Sequence, residues 1–412
     1  MTNEITAPRR RDLAVATAFS HDWRERLVSD CVFPLDVDRH KKVLARDYKA
    51  TGKFPIVDQG QDLIAGGTDD ETAVITDPLP VVVFGDHTRV FKFVDFPFVI
   101  GADGTKLLKP ISELDPRFFY FACLALDIPS RGYNRHFKIL REQSIRYPEK
   151  SEQEKIAAVL WKIQRAVEIE DAIVRNARDL KKSLLQRLFT HGLRGEPLKE
   201  TEIGRLAKNW EVRNLASVAS LERGRFLHRP RNEPRFYGGN TPFVQTGDVV
   251  RSNGCVRDYS QTLNEEGVKI SRIFPAGTIL ITIAANIGYS GILEFDSACP
   301  DSLIGITPRE VIEGEYLLYY LQTQQSRMDT LAPRGTQKNI NIQFLSPWPI
   351  AFPPKDEQRE IAHILKTIDR KIDIHESKKR SLQDLFKTLL HKLMTAQIRV
   401  NDLDIDTSEV SQ

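Results

Sequence analysis

The chain predicts an α+β fold, with two β-rich domains separated by a pair of long antiparallel coiled-coil helices and an internal pseudo-twofold repeat. Three observations carry this. Residues 148–190 recur without a gap as residues 353–395, at a constant offset of 205, and 18 of the 43 positions are identical. After their opening prolines both copies lack Gly and Pro and follow helical periodicity. Each copy is preceded by short β-rich runs punctuated by Gly and Pro. A period this long marks a duplicated domain pair, not a solenoid unit.

Ile156, Leu160, Ile163 and Leu184 lie on one stripe of the first copy, and Ile361, Leu365, Ile368 and Leu389 on that of the second. Each copy opens after a Pro, with Ser151 or Asp356 in a capping position. About 40 residues at helical rise make a rod of roughly 60 Å. A rod with one apolar stripe needs a partner to cover it, and the simplest partner is the other copy, packed antiparallel.

Taken in order, residues 1–147 form the first β-rich domain. Residues 1–20 carry Arg9-Arg10-Arg11 before a short apolar run, too short for an export signal. Val74–Thr76, Val81–Phe84 and Phe91–Val94 read as strands, and Pro116–Leu126 as a core helix. Residues 148–192 are the central helix, and 193–352 the second domain, entered through a polar linker at 193–208. Trp23 and Trp210 lie 187 residues apart, and the same shift aligns Gly52–Gly60 with Gly239–Gly247. Residues 353–396 are the second helix, and the acidic stretch 397–412 reads as a disordered tail.

Composition narrows the function classes. A net charge of +3 neither demands nor forbids nucleic acid. The four cysteines, Cys31, Cys123, Cys255 and Cys299, are widely separated, which suits a reducing cytoplasm and offers no metal spacing. No apolar run is long enough to cross a bilayer. There is no phosphate loop, no glycine-rich cofactor turn, no base-flipping tetrapeptide and no triad or ligand spacing among the nine histidines. The expectation is a chain with no catalytic, cofactor or metal residues of its own.

Polar loops are a stronger signal. In the second domain, Arg223, Arg225 and Arg229 fall in a basic loop with turn formers, where guanidinium groups can neutralise phosphates or fork onto guanine. Gln245 and Thr246 follow a strand, and an amide there can bond an adenine edge. Arg334, Gln337, Lys338 and Asn339 gather in one loop before the second helix. The corresponding loop of the first domain holds Arg131, Asn134, Arg135 and Lys138, and a further polar turn holds Thr88 and Arg89. Plain turn chemistry competes at each site, but the loops recur at one place in both halves.

With these residues in view, the chain resembles the specificity subunits of type I restriction-modification systems, from about Trp23 to Thr395. The resemblance rests on the Pro-x-Lys-x-Glu-Gln-x-x-Ile-Ala starts at Pro148 and Pro353, the Leu-Leu-x-x-Leu endings at Leu184 and Leu389, and the Arg-Gly loop at Arg334. It implies two target-recognition domains, each reading half of a split site in double-stranded DNA, held apart by the helices as a ruler. It also implies docking of two modification subunits that methylate adenine, and of restriction subunits that translocate. S-adenosylmethionine, ATP and Mg are then expected in those partners. The first domain is shorter than the second and has Arg131-Gly-Tyr-Asn134 where the second has Arg334-Gly-Thr-Gln-Lys-Asn339. A protein-assembling adaptor and a self-sufficient DNA-modifying enzyme are the competing readings.

Overall fold

A computed structural model describes residues 22–33, 35, 42–101, 104–130, 132, 134–333 and 338–408. The chain divides into two compact units, Met1–Asp171 with Ser377–Gln412, and Ala172–Glu376. The two cuts are 205 residues apart, which is the offset of the sequence repeat. Each unit therefore holds one β-rich domain and half of each long helix.

In the first unit, β1 (Arg24–Leu27) pairs antiparallel with β10 (Ser144–Tyr147). One four-stranded sheet is β2 (Val32–Phe33), β9 (Thr105–Pro110), β6 (Val81–Gly85) and β7 (Phe91–Val94) in that order. The other is β4 (Gly66–Thr68), β3 (Phe54–Val57), β8 (Phe98–Ile100) and β5 (Val74–Ile75). In this sheet β3 and β8 run parallel, with Ile56 opposite Val99. Helix α1 (Pro116–Leu124), capped by the Asp115 carboxylate on the Phe118 N–H, buries Phe118, Phe119 and Phe121 in the core. Helix α2 (Phe137–Arg141) precedes β10, and the long helix α3 (Lys150–His191) follows it.

The second unit opens with a correction. The stretch expected as a linker folds into a hairpin, β11 (Leu198–Thr201) with β12 (Gly204–Ala207), turned by Gly204 at φ +102. Leu206 and Ala207 enter the core, which polar composition alone concealed. Then β13 (Glu211–Asn214) pairs with β23 (Pro349–Phe352) as β1 does with β10. After α4 (Leu215–Val218), one sheet is β14 (Ala219–Arg223), β22 (Leu303–Pro308), β19 (Ile279–Thr282) and β20 (Ser290–Leu293), with β16 (Cys255–Val256) added at its edge. The other is β17 (Gln261–Leu263), β15 (Tyr237–Phe243), β21 (Ser297–Ala298) and β18 (Ile273–Phe274). Here β15 and β21 run parallel as β3 and β8 do, and the added β16 pairs parallel with β20. Helices α5 (Thr246–Arg251), α6 (Glu265–Lys269), α7 (Gly314–Leu331), α8 (Ile342–Leu345) and the long α9 (Lys355–Met394) complete it. Strand order and direction thus repeat between the units, apart from β16 and the β11–β12 hairpin. The aligned stretches 52–60 and 239–247 contain β3 and part of β15.

The long helices pack antiparallel within each unit. In the first, Lys378 reaches Glu170 at 2.6 Å and Arg399, beyond the end of α9, reaches Glu152 near the start of α3 at 2.7 Å. In the second, Lys181 meets Asp369 at 2.6 Å, and Leu193 meets Glu357 at 3.1 Å. Ile156 and Leu160 are fully buried in the first core, where Leu389 is partly buried; Ile361 and Leu365 are fully buried in the second, with Leu184 packed beside them. Ile163 and Ile368 are only half-buried. These stripes cover the β-domains as well as the partner helix.

The repeated Glu-Gln explains the identity of the helix starts. The Gln153 side-chain amide donates to the Pro148 carbonyl and its oxygen accepts the Asp115 N–H, both at 2.9 Å. Gln358 does the same with Pro353 and Glu313, again at 2.9 Å. Asp115 and Glu313 are the N-cap residues of α1 and α7, so each Gln ties a long helix to the core helix of its domain. The buried Glu beside it catches the chain leaving the other long helix. Glu152 binds Arg399 and the Val400 N–H, while Glu357 binds the Leu193 N–H and the Trp210 indole.

The tail is a second correction. Val400 is 3% exposed in the first core, Arg399 bridges Glu152 and Asp22, and Lys155 donates to the Asn401 carbonyl at 2.7 Å. Arg399 and Val400 anchor this stretch and Ile405 is partly buried on the same core, while most other residues of 397–408 are exposed; one arginine and one valine among the acids supply anchors that an average composition hides. Residues 1–20 and 409–412 lie outside the described residues.

Candidate nucleic-acid interface

In the first unit, the turn between β6 and β7 and the loop before α2 come together. The Asp86 carboxylate accepts the backbone N–H groups of His136 at 2.8 Å and Phe137 at 2.7 Å, holding the first turn of α2. His136 is fully buried, with Nδ1 at 3.0 Å from the Asp86 carbonyl. Asn134, Arg135 and Lys138 are consequently carried on the exposed side of this loop. Thr88 and Arg89 are turned inward: the Thr88 hydroxyl donates to the Gln59 carbonyl at 2.5 Å, and Arg89, at φ +62, donates to the Ile128 carbonyl at 2.8 Å. Beneath the turn, Lys92 donates to the Asp58 carbonyl at 2.7 Å; burial pushes its ammonium below the ordinary lysine range, with Asp58 acting in the other direction.

In the second unit three loops meet at the 299–302 turn. The Arg225 N–H bonds the Cys299 carbonyl at 3.0 Å, and Arg223 Nε bonds the Asp301 carbonyl at 2.7 Å. Arg229 reaches Asp301 Oδ2 at 2.8 Å, and Arg231 takes the other carboxylate oxygen. Thr246 lies 3.2 Å from the Ser302 hydroxyl. Gln245, whose N–H is fixed by Asp248 at 2.8 Å, donates its amide to Gln261. The third loop enters through Ile340, whose N–H bonds the Ile283 carbonyl at 3.0 Å, while Ile283 N–H bonds Ser302 at 3.2 Å. Asn339 forms a bridge with Ala284 and is exposed; Lys338 pairs with Asp329 at 2.8 Å.

The two helix-proximal loops therefore sit at equivalent places. Residue 136 bonds the turn after β6, and residue 340 bonds the chain after β19, the corresponding strand. Arg131, Arg334 and Gln337 lie outside the described residues. Arg223, Arg225, Arg229, Arg135 and Lys138 present exposed cationic groups. Sequence reasoning placed Asp86 and His136 in candidate loops without singling them out, and it did not connect Asp301 to the basic loop. The only signal for Asp301 was its Pro-Asp pair, which spacing alone does not connect to a basic loop about 70 residues earlier. Among the described residues no group of three or more His, Cys, Asp or Glu side chains could hold a metal ion, and no helix is long and apolar enough to cross a membrane.

The chain is thus a duplicated β-domain-and-helix unit that displays polar loops in equivalent places. Residues 207–384 match the family described as Type I restriction modification DNA specificity domain. Over other stretches the chain is similar to specificity subunits of type I restriction enzymes. It is 26% identical over 263 residues to the putative MjaX specificity subunit of Methanocaldococcus jannaschii, covering 63% of this chain and 60% of the relative. It is 22% identical over 349 residues to the EcoR124I/EcoR124II specificity subunit of Escherichia coli, covering 79% and 82%. The match to the MjaIX specificity subunit spans under half of that relative, 44%. In fold, it superposes on the type I S subunit of M. genitalium with TM-score 0.64 and 18% identity, covering 92% of this chain and 98% of that one.

Proposed function

We propose that this chain is the DNA-specificity subunit of a type I restriction-modification complex and has no catalytic activity of its own. Each β-rich domain reads one half of a bipartite site in double-stranded DNA. The observation that supports this best is the strand-for-strand duplication, which carries Asn134, Arg135 and Lys138 in one unit and Lys338 and Asn339 in the other on equivalent loops. One short half-site discriminates poorly among genomic sites. Two readers on a stiff spacer bind as one bivalent unit and select half-sites at one separation. Helices of 42 and 40 residues, about 60 Å long, suffice to set readers one helical turn of DNA apart, about 34 Å.

The helices also dock two modification subunits. Their large exposed apolar side chains form repeat pairs: Ile169 with Ile374, at 54% and 63% exposure, and Leu180 with Leu385, at 53% and 45%. Duplicated apolar positions on otherwise charged helices suit two copies of one partner in equivalent positions. Adenine methylation with S-adenosylmethionine and ATP- and Mg-dependent translocation and cleavage belong to the modification and restriction subunits, and the complex works on cytoplasmic DNA.

The test is a gel shift with random-sequence duplex, run with this chain and its modification subunits, alongside labelled S-adenosylmethionine given to the isolated chain. The reading expects a shifted complex and no methyl transfer by the isolated chain. No DNA affinity even with partners present would make it an adaptor, and methyl transfer by the chain alone would make it an enzyme.

A further inference from the structure

Asp301 was not among the expected recognition residues, yet the second unit organises its basic loop around it. Its carboxylate oxygens are divided between Arg229 and Arg231, and its main-chain oxygen accepts from Arg223. A fourth arginine, Arg272, braces the loop by donating to the Arg223 carbonyl at 2.8 Å and pairing with Glu222 at 3.1 Å. The close approach depends on Gly224: a Cβ there would fall 2.2 Å from the Pro300 carbonyl oxygen, so no side chain fits between loop and turn. Arg229 also donates to the carbonyls of Phe226 and His228, at 2.6 and 2.8 Å. The guanidinium groups are thus held in a defined array instead of swinging free.

Stability alone does not account for this arrangement. The Arg229 and Arg231 side chains are 50% and 39% exposed and Asp301 31%, and ion pairs this wet contribute little to folding. Each arginine keeps further N–H donors for another acceptor. A carboxylate placed there lowers the net positive charge of the loop, which weakens attraction to any phosphate backbone, while it fixes the direction of the remaining donors.

We propose that Asp301 is a positioning residue for DNA specificity: it aims Arg223, Arg229 and Arg231 at the half-site read by the second unit and suppresses sequence-independent binding. This rests on the DNA-reading role proposed above.

The experiment uses the full chain assembled with its modification subunits. Affinity is measured across a salt series for a duplex carrying the selected site and for a random duplex. Asp301→Asn is expected to strengthen random-duplex binding several-fold, with the salt slope steepening by about 0.9 for each added phosphate contact. The ratio of specific to random affinity should fall about tenfold or more, the scale of one lost bidentate base contact. Arg231→Gln, at a half-exposed position, should flatten the slope instead, and it provides the test if the Asn variant fails to fold. An unchanged specificity ratio in Asp301→Asn, or equal losses on both duplexes, would overturn the proposal; so would an unchanged slope in Arg231→Gln. Failure of the wild-type complex to prefer any duplex would instead overturn the DNA-reading role itself.

Discussion

The Trp210 indole donates to the Glu357 carboxylate at 3.0 Å, joining the first tryptophan of the second β-domain to the opening turn of α9. The same carboxylate accepts the Leu193 N–H at 3.1 Å, just after α3 ends. Gly192 makes room for it: its φ is +64, and a Cβ there would lie 2.5 Å from Glu357 Oε1. Glu357→Ala should destabilise the second unit by about 2–4 kcal/mol, because it strands the buried Trp210 donor and the half-buried Leu193 N–H and opens a void. Thermal unfolding followed by circular dichroism checks this, and an unchanged midpoint would mean that the clasp is not holding the helix.

Recognition should separate from assembly. Arg334→Ala with Lys338→Ala should weaken recognition of one half-site while the modification subunits still bind. Lys338 is half-exposed and paired with Asp329 on the surface, so its loss carries little folding cost. Binding measured on duplexes with one half-site scrambled at a time identifies the half affected. Loss of assembly instead would assign that loop to the subunit interface.

Partner stoichiometry should follow the repeat. Ile169→Asp and Ile374→Asp each place a charge at one of two related exposed apolar positions. Each single variant should lose one modification subunit, and the double variant both, as read by the mass of the purified complex. Full occupancy in the double variant would move docking elsewhere.

Cys255 should be slow to alkylate. Burial, followed by its hydrogen bond to Glu294 at 2.8 Å, pushes the thiol up to about 12, against the lowering influence of Arg257. At neutral pH the reactive thiolate is scarce, and the rate should climb about tenfold per pH unit until that value is approached. Glu294→Gln removes an anion that opposes ionisation, so its rate curve should shift to lower pH. A shift to higher pH would contradict the arrangement.

Spacing should respond to helix length. Four residues inserted in α3 or α9, about one turn, should change the gap tolerated between half-sites without changing either half-site. Selection from duplexes with variable gaps gives the measurement.

The helices were legible because a stripe at Ile156 and Leu160, written again at Ile361 and Leu365, needs only local periodicity. The shared ancestry of the β-domains was legible at Gly52–Gly60 against Gly239–Gly247, although their sheet order was not, since strand neighbours such as β3 and β8 lie about 40 residues apart. Arg225, Arg229 and Lys138 were readable as exposed cations. The inward bonds of Thr88 and Arg89 were not, because Gln59 and Ile128 approach only in the folded chain. Asp301 was hidden for the same reason, and the acidic tail misled because Arg399 and Val400 decide its packing.

The central claim is that two related heads on one chain read one interrupted DNA sequence. Mapping methylated adenines across the host genome, with this chain present and then deleted, tests it most directly. The account predicts a motif of two short fixed halves separated by a gap of constant length, lost on deletion. A contiguous motif, or methylation that survives the deletion unchanged, would contradict it.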